Sequence, residues 1–311
     1  MGTPLPGIHH VTAIAGDPQG NIDFYAGVLG LRLVKLTVNF DDPGTYHFYY
    51  GDRLGRPGAI LTFFPFAGTR QGRLGTGQAT VTALSVPAGS IPFWQDRLAA
   101  RGVAVAGPVE RFGDPVLAFV DPDGLGLELV GVAAGADSRP GWAGGGVPVE
   151  QAIRGVHSLT LLEAAAGPTA EHLTVDLGFR EIARTSERVR YATGAGGPGA
   201  LVDLIGQPGM PRGSVAVGSV HHIAFRTPDD PSQHNGQQRL LDRGRNATPV
   251  QDRTYVRSIY FREPGGVLFE IATDPPGFTV DQPVERLGAE LMLPDWLEPN
   301  RRRLVAPQGE V

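Results

Sequence analysis

The stretch Gly-Ile-His-His-Val-Thr at residues 7–12 is nearly repeated as Ser-Val-His-His-Ile-Ala at residues 219–224. Both stretches are rich in the apolar and β-branched residues of strands, and each contains a histidine doublet. The two doublets hold half of the eight histidines in the chain. Two imidazoles and one carboxylate form a facial triad that binds a metal ion and leaves positions open for other ligands. We therefore predict a metal site built from both doublets and a carboxylate of a later strand.

The composition is that of a globular chain. Its 311 residues, 41% hydrophobic and 19% charged, are enough for two ordinary domains. A net charge of −5, without any dense Lys/Arg run, argues against nucleic acid or an anionic membrane surface as a partner. The chain has no cysteine, so a metal ion would be held by His, Asp or Glu.

Membrane insertion and secretion are not expected. No segment approaches the roughly 18 consecutive apolar residues of a membrane span. The N-terminus lacks a basic region followed by an apolar one, the pattern of a secretory signal. The expected location is the cytoplasm.

One order of elements, a strand, a helix and three strands, recurs four times along the chain. Gly and Pro together number 71 (44 plus 27), which indicates many tight turns and short strands. The first helix is predicted over residues 22–28 from its apolar spacing, with Asn21 as N-cap and Gly30 after its end. The first strands of the four units are predicted at residues 8–14, 79–86, 154–162 and 219–227.

Residues 134–148 have the composition of a linker and separate the units into two pairs. We therefore predict an N-terminal domain of residues 1–140 with two βαβββ modules, and a C-terminal domain of residues 141–311 with two more and a tail. This α+β layout resembles the vicinal oxygen chelate superfamily, which includes glyoxalases, extradiol dioxygenases and bleomycin-resistance proteins. The resemblance implies modules paired into two curled mixed sheets, with metal ligands on the first and last strands of a module.

A proline shared by the four modules registers their last strands. The position six residues after it is occupied by Phe63, Glu128, Leu204 and Glu270. The second residue of the doublet registers the first strands, and the corresponding residues are His10, Val81, Ser158 and His222. Modules one and four together thus offer two imidazoles and a carboxylate. The fourth of these strand positions, which we call the fourth corner of the site, is occupied by Phe63. Modules two and three offer only Glu128; Asp203 and His157 could complete that site only through a slip of one residue in each strand, which is not expected because it would turn the whole strand over. The predicted metal ligands are His10, His222 and Glu270.

These residues also have ordinary interpretations. A single buried histidine is commonly a core residue, and a glutamate in an apolar strand can pair with an arginine, here Arg253 or Arg262. Neither interpretation explains why the doublets recur at one position of the repeat. Nor does it explain why Glu270 falls at the matching position of the last strand. The metal site is the favoured hypothesis.

Several segments resemble the hydroquinone ring-cleaving dioxygenase family, over nearly the whole chain. They are His9-His10-Val11-Thr12, residues 41–50, Phe63-Phe64-Pro65, residues 154–158, His221-His222 and residues 264–270. The resemblance implies Fe(II) on the three ligands, with Mn(II) or Zn(II) as replacements, and a hydroquinone-type or catechol-type aromatic ring opened with O2. It also implies active-site roles for His9, Thr12, His221, Arg253 and Tyr260. Because neighbours in a strand normally face opposite ways, the roles of His9 and His221 rest on this resemblance.

Two other functions stay open. A glyoxalase-like lyase or isomerase would have a second carboxylate at the fourth corner, where Phe63 can neither bind a metal ion nor accept a proton. A non-enzymatic binding or resistance protein would have no need of a complete triad. The sequence leaves open the substituents of the substrate ring and whether the chain forms a homo-oligomer.

Overall fold

Four modules with the predicted order of elements make up the computed structural model, which describes residues 5–305. Module one contains β1 (Ile8–Ala15), α1 (Pro18–Ile22) with a π-helical continuation (Asp23–Val28), β2 (Arg32–Asn39), β3 (Asp42–Gly51) and β4 (Ile60–Pro65). Module two contains β5 (Gln78–Pro87), a 3-10 turn (Ala88–Ser90), α2 (Ile91–Ala100), β6 (Ala106–Arg111), β7 (Asp114–Val120) and β8 (Gly126–Val132).

The second half of the chain repeats this order. Module three contains β9 (Gly155–Glu163), α3 (Ala166–Glu171) with a π-helical continuation (His172–Asp176), β10 (Arg180–Arg184), β11 (Val189–Ala192) and β12 (Leu201–Gly206). Module four contains β13 (Ser219–Thr227), α4 (Asp230–Asp242), β14 (Gln251–Asp252), β15 (Arg257–Arg262) and β16 (Leu268–Thr273). The tail has 3-10 turns at Phe278–Val280, Val284–Arg286 and Glu298–Asn300, then α5 (Arg301–Val305). No helix within residues 5–305 is long and apolar enough to cross a membrane.

The modules pair as first with fourth and second with third. One eight-stranded sheet has the order β14-β15-β16-β13-β1-β4-β3-β2, and the other has the order β10-β11-β12-β9-β5-β8-β7-β6. In each sheet the two first strands are antiparallel neighbours at the centre, and each last strand runs parallel to the first strand of its own module. The predicted α+β fold with two curled mixed sheets is confirmed. Each sheet takes one module from each half of the chain, and the division into domains at residues 140 and 141 stays a prediction.

The first helix begins earlier than its apolar spacing indicates. Asp17 is the N-cap, and its carboxylate accepts a hydrogen bond of 2.8 Å from the backbone N–H of Gly20. The predicted cap, Asn21, lies inside the helix instead, where it is buried and accepts a hydrogen bond from Tyr50. Gly30 follows the helical segment with a φ of 70°, the left-handed conformation that glycine adopts without strain.

The largest apolar cluster joins all four modules and fixes which side of β13 faces it. It includes Ile8, Trp94, Leu159 and Phe225, one residue from each module. Along β13 both Ile223 and Phe225 belong to this cluster. Because side chains alternate along a strand, His222 lies on the other face of the sheet, away from the apolar core.

Candidate metal centre

Three strands bring the predicted ligands to one face of the first sheet. In the antiparallel pair of β1 and β13, His10 lies opposite Ala224 and Thr12 lies opposite His222. In the parallel pair of β13 and β16, Glu270 lies beside Ala224. Directly paired residues share a face of the sheet. The two imidazoles and the carboxylate therefore converge from modules one and four.

The three ligand atoms form a small, buried triangle. His10 Nε2 and His222 Nε2 are 3.3 Å apart, and Glu270 Oε2 lies 3.4 Å from His10 Nε2 and 3.0 Å from His222 Nε2. All three side chains are buried. Within residues 5–305, no other group of three His or acidic side chains lies close enough together to hold one ion.

The dimensions of this triangle fit a metal ion. Ligands at about 2.1 Å from an ion are separated by about 3.0 Å when they subtend 90° and by about 3.4 Å at the tetrahedral angle. The observed edges of 3.0 to 3.4 Å lie in that range. Glu270 Oε2 is buried, and apart from the two imidazoles of the triangle no residue of 5–305 offers it a hydrogen bond, which suits an atom whose partner is a cation.

Ser258 orients the carboxylate. Its hydroxyl donates to Glu270 Oε1 at 2.5 Å, which leaves Oε2 facing the imidazoles. Neither arginine that was considered as a partner of Glu270 takes that place: Arg253 binds Asp41, and Arg262 binds the carbonyl of Gly266. Burial raises the pKa of Glu270, but attraction to the two imidazoles outweighs it and holds that pKa well below its ordinary value. Ser258 was not predicted as a site residue, although it is two residues before the predicted Tyr260 on β15 and so shares its face of the strand.

Two β-bulges allow both members of each doublet to line the cavity. The register between β1 and β13 shifts at His9, where β1 has one extra residue, and at His221, where β13 has one. A bulge interrupts the alternation of a strand and re-aims a side chain. The other sheet has the same shifts at Thr80 and His157, so the bulges belong to the way in which two modules pair.

Each of the two histidine ligands is hydrogen-bonded to its neighbour in the doublet. His9 Nδ1 lies 2.9 Å from His10 Nδ1, and His221 Nδ1 lies 2.8 Å from His222 Nδ1. Burial, followed by the neighbouring imidazole, lowers the pKa of His9 and of His221 to about 3, so both rings are neutral at ordinary pH. A ligand that offers Nε2 to a metal ion carries its proton on Nδ1 and donates it to the neighbour. The remaining proton of the neighbour is then on its own Nε2.

The fourth corner of the site is Thr62, and the prediction of Phe63 was wrong. β4 places Thr62 beside Thr12, which is the position that Glu270 has beside β13. Phe63 faces the apolar core, where its ring centre lies 4.3 Å from that of Tyr25. Thr12 does not line the cavity; its hydroxyl bonds that of Thr62 at 2.8 Å.

The error lies in the length of a turn. The distance from the shared proline to this position is five residues in modules one and three but six in modules two and four. A shift of one residue turns every side chain of a strand to the opposite face. In module three the same correction replaces Leu204 by Asp203.

The second sheet carries an ion-pair cluster where the first carries the triad. The corresponding positions hold Val81, Glu128, Ser158 and Asp203. Arg111 binds Glu128 through two hydrogen bonds of 2.5 and 2.9 Å. Arg188 and Arg190 bind Asp203 at 2.7 to 2.9 Å. Three guanidinium groups thus neutralise two carboxylates, and these are not free to bind a metal ion.

The triad opens into a cavity of about 390 Å³ between modules one and four. Residues from β14, β15 and the turn between them form one wall, including Arg253 and Tyr260. The guanidinium of Arg253 lies 5.5 Å from the centre of the Tyr260 ring and makes two hydrogen bonds, of 2.7 and 3.0 Å, with Asp41 of module one. Burial and the charge of Glu270 raise the pKa of Tyr260, so its phenol group is a hydrogen-bond donor.

Module one supplies the opposite wall. It consists largely of aromatic side chains, with His47 and Tyr49 from β3 and Phe64 from β4. From the sequence, the β3 residues 46–50 could line the cleft or pack in the core, and the structure divides them by alternation along the strand. Tyr46, Phe48 and Tyr50 point into the core. A cavity with aromatic walls and a few polar groups suits a small planar ligand.

Comparisons with known proteins agree with the fold. The model of the Glyoxalase/Bleomycin resistance protein/Dioxygenase superfamily matches residues 7–129 and 155–271. The chain is 49% identical to the Bacillus subtilis protein named "Putative ring-cleaving dioxygenase MhqO", over 98% of this chain and 96% of that one. It is 36% identical to a chlorohydroquinone/hydroquinone 1,2-dioxygenase of Sphingobium indicum, over 98% and 97% of the two chains. The crystal structure of a Bacillus subtilis protein named "putative dioxygenase" superimposes with a TM-score of 0.92 at 48% identity, covering 97% of this chain and 96% of that chain.

Proposed function

The chain belongs to the glyoxalase/bleomycin resistance protein/dioxygenase superfamily, and we propose that it is an Fe(II)-dependent dioxygenase that opens a hydroquinone-type aromatic ring with O2. The observation that carries the proposal is the triangle of two imidazoles and one carboxylate at the base of an aromatic cavity. The names of the relatives and the resemblance of the sequence motifs support the same activity.

His10, His222 and Glu270 would hold the iron. When bound, Fe(II) with three protein ligands supplies open positions at which a phenolic oxygen and O2 can meet. Mn(II) and Zn(II) accept the same ligand types, so the donor set does not by itself select iron. The role of the chain is to fix these ligands, to exclude bulk water from a buried site and to orient the ring.

The doublet neighbours would manage protons in this site. With His222 bound to the metal ion through Nε2, its Nδ1–H would donate to Nδ1 of His221, and the proton of the His221 ring, which lines the cavity, would be on Nε2. His9 has the same relation to His10. We assign to His221 a hydrogen bond to an oxygen of the bound substrate or of O2, and to His9 the orientation of its neighbour.

Arg253 and Tyr260 would contact the substrate from the wall of module four. A guanidinium attracts a phenolate oxygen, and a neutral phenol group donates a hydrogen bond. Thr12 would contribute through Thr62, because its hydroxyl bonds that of Thr62 and it is not among the residues that line the cavity.

The glyoxalase alternative is disfavoured by the fourth corner. A threonine hydroxyl at position 62 cannot supply the second carboxylate that such a site uses as a ligand and base. The site of the second sheet offers no replacement, because its carboxylates are bound by arginines.

Oxygen consumption with product analysis tests the proposal. Protein loaded anaerobically with Fe(II) is mixed with hydroquinone, with catechol or with phenol, and dissolved O2 is followed with an electrode. We expect one O2 consumed per ring opened, with both atoms of labelled dioxygen recovered in a non-aromatic product. Oxidation of hydroquinone to benzoquinone, without label in the product, would contradict ring cleavage. The matched control is Glu128→Gln, which alters the corresponding strand position of the second sheet and leaves the proposed metal site intact.

A further inference from the structure

His47 is a polar group on the wall of module one that the proposed mechanism does not use. It lines the cavity, two strands away from β1 in the order β1-β4-β3. Its Nε2 lies 2.8 Å from Thr62 Oγ1, and Thr62 Oγ1 lies 2.8 Å from Thr12 Oγ1. Two hydroxyl groups, of Thr12 and Thr62, therefore connect the His47 imidazole by hydrogen bonds to the strand that lies beside β13.

Packing fixes the orientation of the His47 ring. The ring lies between Tyr49 and Phe64, at centre-to-centre distances of 4.0 and 4.3 Å. Among residues 5–305, Nδ1 has no hydrogen-bond partner, and it is not one of the fully enclosed polar atoms. A locked ring with one nitrogen bonded behind it and the other open to the cavity is already arranged for a ligand.

The hydroxyl chain lets His47 act as either a donor or an acceptor. If Thr12 donates to Thr62 and Thr62 donates to Nε2, the proton of the neutral ring is on Nδ1 and points into the cavity. If every bond reverses, Nε2 donates to Thr62 and Nδ1 offers a lone pair. Neither arrangement changes the charge of the buried site. His47 can therefore bind a hydroxyl group or a carbonyl group.

The position of His47 distinguishes between classes of diol. A ring oxygen bound at the triad lies at the seam of β1, β13 and β16. A 1,2-diol has both oxygens on that side of the ring. A 1,4-diol has its second oxygen on the far side, where a polar partner is needed to offset the loss of water. His47, Tyr49 and Phe64 line the cavity from β3 and β4, which lie on the other side of the central β1–β13 pair from β15 and Tyr260.

We propose that His47 binds the second hydroxyl group of a 1,4-dihydroxybenzene, with Thr62 and Thr12 as positioning residues behind it. The assignment rests on the proposed function, because it takes the first oxygen to be bound at the triad. It adds a determinant of substrate specificity on module one.

Equilibrium binding under anaerobic conditions tests the assignment without turnover. Dissociation constants of hydroquinone, phenol and catechol are measured by calorimetry on the Fe(II)-loaded protein. We expect the wild type to bind hydroquinone more tightly than phenol by about twofold to tenfold, which corresponds to one buried hydrogen bond. His47→Phe keeps a ring between Tyr49 and Phe64 and should abolish this preference while leaving the affinity for phenol unchanged.

Variants of the hydroxyl chain separate positioning from a general loss of structure. Thr62→Val should reduce the preference for hydroquinone, and Thr62→Ser, which keeps the hydroxyl, should retain it. His234→Leu removes an exposed histidine of α4 and should change neither constant. Circular dichroism melting curves verify that each variant is folded.

The outcomes distinguish this inference from the proposed function. If the wild type binds none of the three compounds, the proposed function fails and the role of His47 fails with it. If the wild type binds them without preferring hydroquinone, or if His47→Phe keeps the preference, the role of His47 alone is refuted.

Discussion

Replacing Ser258 by alanine is expected to weaken metal binding with little change in the fold. The hydroxyl donates to Glu270 Oε1 at 2.5 Å, and the two side chains are fully buried, at 0% and 1% exposure. A hydrogen bond to a charged group contributes about 1.5–3 kcal/mol. Loss of a group that orients a metal ligand reduces metal affinity about 10- to 100-fold, which corresponds to a similar free energy. We therefore predict a 10- to 100-fold increase in the metal dissociation constant.

Competition with a chelator of known affinity measures this change. The wild type and Ser258→Ala are equilibrated anaerobically with Fe(II) and the chelator, and the free chelate is read by absorbance. Calorimetric melting of the metal-free proteins measures any general loss of stability, so that this loss can be distinguished from a change in metal affinity.

Ser90→Ala is the matched control. Ser90 is also buried, but it precedes α2 in module two and makes no capping hydrogen bond. We expect its metal dissociation constant to equal that of the wild type. An unchanged constant in Ser258→Ala would refute the view that this hydroxyl holds Glu270 as a ligand.

Three further changes test other parts of the structure. Phe63→Ala should lower the free energy of unfolding by about 3–5 kcal/mol in urea titrations, because the ring is in the core, and should leave metal stoichiometry unchanged. Asp41→Asn should alter stability by less than about 1 kcal/mol, since Asp41 is 71% exposed, but should raise KM by releasing Arg253. Burial and Glu263 raise the pKa of Glu163 from 4.5 to about 8, so the folded state holds this proton more tightly than the unfolded state. Stability should fall as pH rises from 4.5 to 8, and Glu163→Gln should show a smaller fall in melting temperature over that range. Equal pH dependence in both proteins would contradict this assignment.

The order of elements and the pairing of modules could be predicted from the sequence because both depend on local patterns that recur in each module. Apolar periodicity located the four modules, and the distribution of the doublets and Glu270 indicated that the first and last modules share a site. Sheet order confirms this pairing. The N-cap was predicted four residues too late because Pro18 and Asp17, which begin the helix, precede its apolar spacing.

Features that depend on one residue of register could not be predicted in the same way. The turn before the last strand is one residue shorter in module one than in module four, so Thr62 occupies the position predicted for Phe63. Counting from a single shared proline cannot detect such a difference in turn length. The bulges at His9 and His221 arise from the pairing of two distant strands, so neither strand alone indicates them. The bonds from Ser258 and His47 likewise join residues of different strands.

The central claim is that modules one and four together bind one metal ion through three side chains. Metal content after anaerobic loading and gel filtration tests it most directly, with His10→Ala, His222→Ala and Glu270→Ala compared with Glu128→Gln. We predict one Fe(II) per chain in the wild type and in Glu128→Gln, and loss of the metal in each of the three ligand variants. Retention of a full equivalent of iron by a correctly folded Glu270→Ala or His222→Ala variant would contradict the claim.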